Sequence, residues 1–150
     1  MTYLQIITAA AKTAKVSAVL LYAICQHESN DFVLDYALYD NGSPSYGVCQ
    51  VKENTARMLG FKGEAMELRN PYVNAKYAAL YLSYQQERYS NDWVKLTASY
   101  NAGSYVEGKK KGCPKNLKYV RLVQQKLEKD LQAKLSCDIK DSRFVYKLEE

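Results

Sequence analysis

The chain has 150 residues, of which 47% are hydrophobic and 25% charged, and its 21 basic and 16 acidic side chains leave a net charge of +5. This is the composition of an ordinary globular domain, and it excludes a disordered or fibrous protein. The most apolar stretch, residues 16–25, is about ten residues long, roughly half of what crosses a bilayer, and no small-residue cleavage site follows it. We therefore expect neither a membrane span nor an export signal.

Two helices are predicted near the N-terminus. Residues 4–14 are rich in alanine, and Ser17 is a typical N-cap for a second helix that carries apolar residues at helical spacing and ends at Glu28. The helical pattern fails over residues 31–46, where turn-forming residues cluster. We predict a loop there that holds a short hairpin.

Four further helices are predicted. Residues 53–59 form a short helix that stops at Gly60, and Asn70 followed by Pro71 is a strong start signal for the next one. Asp92 caps a helix that runs to about residue 101. The predicted apolar face of the helix after Asn70 carries Val73, Tyr77, Leu80, Tyr81 and Tyr84. The last helix, about twenty residues long, has a predicted apolar stripe of Leu117, Val120, Leu127, Leu131 and Leu135.

The four cysteines, at positions 25, 49, 113 and 137, lack Cys-x-x-Cys spacing, and the chain has one histidine. Such a set is unsuited to a closed zinc site. Parity allows two disulfides, but the predicted last helix would hold Cys113 and Cys137 about 30 Å apart, whereas a disulfide needs Cα atoms within about 7 Å. We therefore predict reduced thiols in a protein made in a cytoplasm.

The net charge lies entirely after residue 106. The basic side chains concentrated there are Lys109, Lys110, Lys111, Lys115, Lys118, Arg121, Lys126 and Lys129. A concentrated basic face attracts polyanions, but the same pattern is typical of a solvated helix face. Both interpretations stay open.

Three segments bring together an acid, small turn residues, amides and tyrosines. Residues 23–29 (Ala-Ile-Cys-Gln-His-Glu-Ser) place Glu28 at the end of an apolar helix. Residues 45–51 (Ser-Tyr-Gly-Val-Cys-Gln-Val) are followed by Thr55-Ala56. Residues 98–103 (Ala-Ser-Tyr-Asn-Ala-Gly) follow a helix from Asn74 to Leu82 that contains a Tyr-Leu pair.

In this order and spacing the segments resemble the SLT-type lytic transglycosylases, whose fold is that of goose-type lysozyme. The resemblance covers roughly residues 15–106. It implies a mainly α, lysozyme-like α+β fold, with a short hairpin region around residues 31–50. We expect one helical domain over residues 1–136 and a C-terminal tail over residues 137–150.

The resemblance also implies an enzyme that cleaves the β-1,4 bond between N-acetylmuramic acid and N-acetylglucosamine in peptidoglycan, with no cofactor and no metal. Glycoside cleavage needs an acid that is protonated near neutral pH, and apolar walls around Glu28 would favour its neutral form and raise its pKa. The resemblance implies that Glu28 acts first as acid and then as base. As base it takes the proton of the muramic acid 6-hydroxyl, which leaves a 1,6-anhydromuramoyl end.

Further site residues are carried over by the resemblance. The substrate-binding candidates are Ser45, Tyr46, Gly47, Gln50, Tyr100 and Asn101. Tyr100 matches a tyrosine whose hydroxyl lies near the acid, and Ser45 is expected to steer the substrate N-acetyl group. Gln50 and Asn101 suit sugar binding or loop fixation, and Gly47 would allow close backbone approach to a sugar. Ser29 is expected to orient the helix end.

Two departures from the pattern bear on the reaction. Val48 and Cys49 replace the usual Leu-Met pair. Goose-type lysozyme has one aspartate before this motif and another just after it; Asp40 lies about one residue from the first position, and Lys52 stands at the second. Because an inverting hydrolase needs a second carboxylate to activate water, the alternative is a hydrolytic muramidase that uses Glu28 with Asp40.

Other classes have less support. His27 has no second histidine four residues on, so the zinc protease pattern is absent, and no nucleophile elbow or phosphate loop is present. A non-catalytic module that binds cell wall or nucleic acid is the remote alternative. The basic segment lacks a recognition helix, so we expect no nucleic-acid partner.

The expected partners are peptidoglycan glycan strands and, through residues 109–129, anionic cell-wall polymers; the chain is expected to be a monomer. Its small, basic, single-domain composition resembles phage endolysins. We therefore expect synthesis in a host cytoplasm and action on the wall once the membrane is permeabilised. The alternative is an exported enzyme whose signal has been removed.

Overall fold

A computed structural model describes residues 1–40 and 43–127, with the backbone alone for residues 37–40. This part of the chain is mainly helical, as expected for the lysozyme-like class. Its elements are α1 Tyr3–Ala14, α2 Ala18–Glu28, β1 Tyr36–Asp40, β2 Ser43–Tyr46, β3 Val51–Lys52, α3 Glu53–Met58, a 3₁₀ helix Ala65–Arg69, α4 Pro71–Tyr89, α5 Trp93–Ala102 and α6 Leu117–Gln124. No helix among them is long and apolar enough to cross a membrane.

Side-chain caps begin four of the helices, and Thr2 caps α1; the other three were predicted from the sequence. Ser17, Asn70 and Asp92 accept hydrogen bonds from first-turn amides of α2, α4 and α5 respectively. Caps of this kind satisfy N–H groups that a helix leaves without internal partners. The predicted starts of these helices are confirmed.

The small sheet has the order β1-β2-β3, with both pairs antiparallel. Tyr46 pairs with Tyr36 on one side and with Val51 on the other. The hairpin predicted between residues 31 and 46 is confirmed, whereas the two-residue β3 was too short to give a sequence pattern. The sheet places the loop of residues 47–50, between β2 and β3, beside the end of α2.

Helix α4 lies at the centre of the fold, where it packs against both α1 and α5. Its buried face differs from the predicted one: Tyr77 is buried, but Tyr81 is half-buried and Tyr84 is exposed. Asn74 and Gln85 are fully buried instead. Both are polar, so an apolar pattern could not reveal them, and both hydrogen-bond backbone carbonyl groups of neighbouring segments.

The last helix is shorter than predicted. Helix α6 has 8 residues and gives way to turns at residues 125–126. The expected length of about twenty residues rested on an apolar stripe, and the stripe continues past the helix because Leu127 packs in the core from outside it. Leu131, Leu135, Lys129 and the predicted boundary at residues 136–137 lie outside the described residues.

The prediction of reduced thiols is wrong. Cys25 and Cys49 form a disulfide, and both are fully buried. Cys113 is also disulfide-bonded. The length of the last helix bears on Cys113 and Cys137 only, whereas the fold brings α2 against the β2–β3 loop and pairs Cys25 with Cys49. That contact joins residues 24 positions apart in the chain.

Candidate active site

A cleft of about 270 Å³ opens at the end of α2 that carries Glu28, between the sheet and the end of α5. It is lined by Glu28, Ser45, Gln50, Val51, Lys52, Asn54, Thr55, Tyr81, Tyr100, Asn101, Ala102 and Gly103. Three chain segments that the sequence analysis singled out therefore meet in one concavity. Among the described residues that line it, Glu28 is the one carboxylate.

Glu28 is the last residue of α2, and its side chain is half-buried. The hydroxyl of Tyr119 in α6 donates a hydrogen bond to Glu28 Oε2 over 2.6 Å. Burial, and next the negative charge of Glu28, raise the pKa of Tyr119 well above its ordinary value. Tyr119 therefore stays a neutral donor near neutral pH and orients the carboxyl group.

Tyr100 is buried between the acid and the β2–β3 loop. Its hydroxyl donates to the Cys49 carbonyl oxygen over 2.9 Å. Burial raises the pKa of Tyr100 well above its ordinary value, and the charge of Glu28 adds to the effect. Tyr100 thus lies within the electrostatic reach of Glu28 while its hydrogen bond supports the loop.

Asn74 of α4 holds the β2–β3 loop from below. Its Oδ1 accepts from the Cys49 amide N–H over 2.8 Å, and its Nδ2 donates to the carbonyl oxygens of Tyr46 and Leu68 over 2.7 and 2.8 Å. A fully buried amide with three partners is well satisfied and fixes the backbone around it.

Gly47 and Gln50 give the loop its shape. Gly47 has φ +75°, and a Cβ at this position would lie 2.3 Å from the Asn74 side chain. The packing of Asn74 therefore requires a glycine here, apart from any contact with a sugar. Gln50, at φ +52°, donates from Nε2 to the Gly47 carbonyl oxygen over 2.8 Å and also lines the cleft.

The other predicted binding residues lie in different surroundings. Ser45 is buried, with 7% of its surface exposed, and lines the cleft. Asn101 is exposed at the cleft, and its Oδ1 accepts from Nδ2 of Asn116 over 2.9 Å. Tyr46 and Gly47 are not part of the lining; the Tyr46 ring packs on Tyr36.

The second carboxylate of the alternative mechanism, Asp40, is the last residue of β1. Its side chain lies outside the described part of the structure. Lys52, at the other position where goose-type lysozyme has an aspartate, lines the cleft.

The sequence pattern did not identify Tyr119, although its hydroxyl donates a hydrogen bond to the acid. It follows Glu28 by 91 positions. The one signal was a tyrosine beside the apolar stripe of the last helix. The role of Ser29 was foreseen: its hydroxyl donates to the Cys25 carbonyl oxygen over 2.8 Å and accepts from the Phe32 amide at the end of α2.

The basic segment is largely at the surface. Lys109, Lys110, Lys111, Lys115, Lys118 and Arg121 are exposed. Lys126 forms an ion pair with Asp31 over 2.9 Å. In the described part of the chain, no three His, Cys, Asp or Glu side chains converge as metal ligands would.

Similarity to known proteins defines the class. Residues 5–122 match the family model of the transglycosylase SLT domain. The protein IpgF of Shigella sonnei is 32% identical over 111 residues, which are 71% of this chain and 68% of IpgF. In fold, the chain is similar to an inactive mutant of the lytic transglycosylase Slt from Pseudomonas aeruginosa, with a TM-score of 0.57 and 19% identity.

That structural match covers 91% of this chain but about a fifth (21%) of the Slt chain. The fold is lysozyme-like. The chain belongs to the SLT transglycosylase family and is an enzyme that acts on peptidoglycan.

Proposed function

We propose that the chain cleaves the β-1,4 bond between N-acetylmuramic acid and N-acetylglucosamine as a lytic transglycosylase, with Glu28 as acid and then as base. The observation that carries this proposal is Glu28 itself. Among the described residues it is the one carboxylate in the cleft, and Tyr119 holds it at the end of α2.

In the first step, the Glu28 carboxyl protonates the glycosidic oxygen, and the bond from that oxygen to C1 of muramic acid breaks. The alcohol of the departing sugar leaves neutral, and positive charge develops at C1. Glu28, now a carboxylate, faces this charge at short range. The Tyr119 hydroxyl donates to the carboxylate, so the hydrogen bond strengthens as the negative charge forms.

In the second step, the 6-hydroxyl of the same muramic acid attacks C1 while Glu28 takes the hydroxyl proton. The new C1–O6 bond closes the 1,6-anhydro ring, and Glu28 is protonated again. No water is consumed, so one carboxyl group is enough for both steps. This is the reason why a cleft with a single described carboxylate favours the transglycosylase route.

Tyr100 and Ser45, which line the same cleft, are assigned supporting roles in the reaction. Ser45 offers a hydroxyl at the cleft surface, suited to the N-acetyl group of the muramic acid. Tyr100 fixes the β2–β3 loop on which Gln50 is carried, and Gln50 is bonded back to the loop itself. We therefore assign Gln50 to holding the loop and Ser45 to contacting substrate.

The test is Glu28→Gln, which keeps size and the hydrogen bond from Tyr119 but cannot supply a proton. Clearing of purified peptidoglycan should fall by about a thousandfold. Glu87→Gln, an exposed change on α4, is the matched control and should keep full activity. More than about a tenth of the rate left in Glu28→Gln would refute the acid assignment.

Product masses decide between the two reaction types. Anhydro-muropeptides, each lighter by one water than the hydrolytic product, are expected. Reducing muramic acid ends would show hydrolysis instead, and Asp40→Asn should then be severely impaired. Activity unaffected by Asp40→Asn together with anhydro products is the result that we expect.

We further propose that the chain folds in an oxidising compartment. The support is the buried Cys25–Cys49 disulfide beside the acid, since cytosolic thiols are kept reduced. An exported enzyme fits this better than the cytoplasmic endolysin expected from composition. Thiol labelling of native protein under denaturing, non-reducing conditions tests it, because a reactive Cys25 or Cys49 would contradict it.

The exposed lysines of the basic segment are proposed to bring the enzyme onto anionic wall polymer. Replacing Lys109, Lys110, Lys111, Lys115 and Lys118 by Gln should weaken cosedimentation with sacculi and reduce its dependence on salt. Equal loss on a short uncharged oligosaccharide would contradict a docking role.

A further inference from the structure

His27 precedes Glu28 on α2, but its half-buried side chain is not part of the cleft lining. Its ring packs on the ring of Tyr119 in α6 instead, with the centroids 5.2 Å apart and the planes at 74°. The hydroxyl of the same tyrosine donates to Glu28 Oε2 over 2.6 Å. The last two residues of α2 therefore contact one tyrosine, Glu28 at its hydroxyl and His27 at its ring.

The contact with His27 restricts a motion that the hydrogen bond alone permits. A hydrogen bond fixes the direction of the Tyr119 hydroxyl, but the ring can still turn about its side-chain bonds. An aromatic ring packed across it limits that rotation. Because a small misplacement of a catalytic group is costly in rate, a ring that holds the Tyr119 hydroxyl also holds the carboxyl group of Glu28 in its productive position.

The turn after α2 brings Asp31 back to the side of His27. Residues 30–32 have φ of 51°, 59° and 66°, a left-handed conformation that residues other than glycine rarely adopt. The Asp31 amide donates to the Gln26 carbonyl oxygen over 2.8 Å, and its carboxylate forms an ion pair with Lys126 over 2.9 Å. Three such residues in succession cost conformational energy. The turn that they form places a carboxylate and an ammonium group near the one histidine of the chain.

His27 is neutral near neutral pH. Burial, and next the positive charge of Lys126 in the turn after α6, lower its pKa, while Asp31 in the turn after α2 opposes them. Tyr119 faces it from α6 and stays neutral, since its own pKa is raised well above its ordinary value, and Glu28 follows it on α2. Below the pKa of His27, the imidazolium is repelled by Lys126 and is poorly solvated where it lies, so it gains by turning toward water. Protonation therefore loosens the packing of His27 on Tyr119.

We propose that His27 is a positioning residue for the acid: its neutral ring keeps the Tyr119 hydroxyl on Glu28, and protonation of the ring weakens this hold and slows cleavage. The inference rests on the proposed function, which assigns Glu28 as the acid. It predicts an enzyme whose turnover falls on the acid side of neutral pH. The midpoint of that fall is set by Asp31 and Lys126, neither of which lines the cleft.

The contact is tested without turnover, because one histidine gives one set of imidazole NMR signals. A nuclear Overhauser effect between the ring protons of His27 and Tyr119 is expected in the wild-type protein at neutral pH, and it should weaken as the imidazole takes up its proton. Tyr119→Phe keeps the ring and should leave the chemical shifts of neutral His27 nearly unchanged, whereas Tyr119→Leu removes the ring and should move them. Tyr72→Leu removes an exposed tyrosine of α4 and is the control that should not move them.

A double-mutant cycle shows whether His27 acts through Tyr119. On soluble glycan strands near neutral pH, His27→Ala should lower kcat about fivefold and leave KM within about twofold. His27→Phe restores an aromatic ring and should bring kcat back to within about twofold of the wild type. In a protein that already carries Tyr119→Phe, His27→Ala should cause no further loss, because the hydroxyl that it positions is gone. A purely structural role would give additive losses.

The pH dependence connects the protonation of His27 to catalysis. Turnover, measured as kcat, should fall on the acid side at the midpoint that the His27 NMR signals give, and this fall should be absent in His27→Phe. Lys126→Gln should raise both midpoints together, since it removes a positive charge that disfavours the imidazolium. Lys12→Gln, an exposed change on α1, should move neither.

Three results would overturn the proposal: a missing Overhauser effect, additive losses in the cycle, or an acid-side fall in kcat that persists in His27→Phe. Midpoints that do not move together in Lys126→Gln would also contradict it. Activity in Glu28→Gln would instead overturn the proposed function, and it would leave the ring contact and the His27 titration standing.

Discussion

The two walls of the cleft are held in different ways. The β2–β3 loop is fixed by a disulfide, by hydrogen bonds of the buried Asn74 to Cys49 and to the adjoining Tyr46, and by the buried Tyr100 hydroxyl. The acid end of α2 is fixed by the hydrogen bond from Tyr119 of α6 to Glu28 and by the partly exposed ion pair of Asp31 with Lys126, in the turn after α6.

This difference predicts that substitutions in one wall affect mainly stability and substitutions in the other affect mainly activity. When a buried group with several hydrogen bonds is removed, each of its partners is left unsatisfied. Substitutions in the wall formed by the β2–β3 loop, the loop wall, should therefore lower the free energy of unfolding. The Tyr119 hydrogen bond to the Glu28 carboxylate and the partly exposed ion pair of Lys126 with Asp31 contribute less to stability. Substitutions in the wall formed by the end of α2 with Glu28, the acid wall, should therefore lower mainly kcat.

The largest effect is expected for Asn74→Ala. It leaves the Cys49 amide and two carbonyl groups buried without their partner, so the free energy of unfolding should fall by about 3–4 kcal/mol. Urea unfolding measures it, with the exposed Asn91→Ala as a control that stays within about 0.5 kcal/mol. A loss below about 1 kcal/mol would mean that the loop does not depend on Asn74.

Removing the disulfide should lower the free energy of unfolding by nearly as much. Cys25→Ala with Cys49→Ala releases a loop closed over a separation of 24 residues, and about 3 kcal/mol of stability should be lost. The single Cys25→Ala change opens the same ring and should match the double variant within about 1 kcal/mol. Unfolding at the wild-type urea midpoint would contradict the comparison of the two walls.

Tyr119→Phe tests the acid wall. We expect kcat to fall about tenfold, because the carboxyl group loses its orienting donor, while stability falls by about 1 kcal/mol. The pH profile of kcat should also move, which a purely structural role would not cause. Tyr22→Phe, at a half-buried tyrosine whose ring packs at a tilt against Phe32, should leave kcat and the profile unchanged. If it does not, the effect of Tyr119 is not specific.

The smallest effect concerns pH. Burial, and next the positive charge of Lys126, lower the pKa of His27, against an opposing effect of Asp31. The unfolded chain then binds this proton more readily than the folded one. The contribution of neutral His27 to the free energy of unfolding is complete above pH 6.5. It is lost as the pH falls through the lower pKa that His27 has in the folded state.

His27→Gln removes this dependence. Because the His27 ring packs on the edge of Tyr119, with ring centroids 5.2 Å apart, the change belongs to the acid wall. The melting temperature of the variant should fall less steeply than that of the wild type between pH 7 and pH 5. Parallel curves for both proteins would show that another group controls the acid side.

The sequence by itself determined the elements whose signals are local. Ser17, Asn70 and Asp92 cap their helices with hydrogen bonds that span two or three residues, so composition near each start was sufficient. The order of the motifs also placed Glu28 at a helix end and brought Ser45, Gln50 and Tyr100 to the same cleft.

Tertiary structure decided the rest. Asn74 is buried because it satisfies backbone groups 25 and 28 residues away, and Tyr119 meets Glu28 across 91 residues. The Cys25–Cys49 pair depends on how α2 packs beside the loop. None of these contacts has a periodic signature, because each partner is chosen by three-dimensional packing and by the need to satisfy buried polar groups.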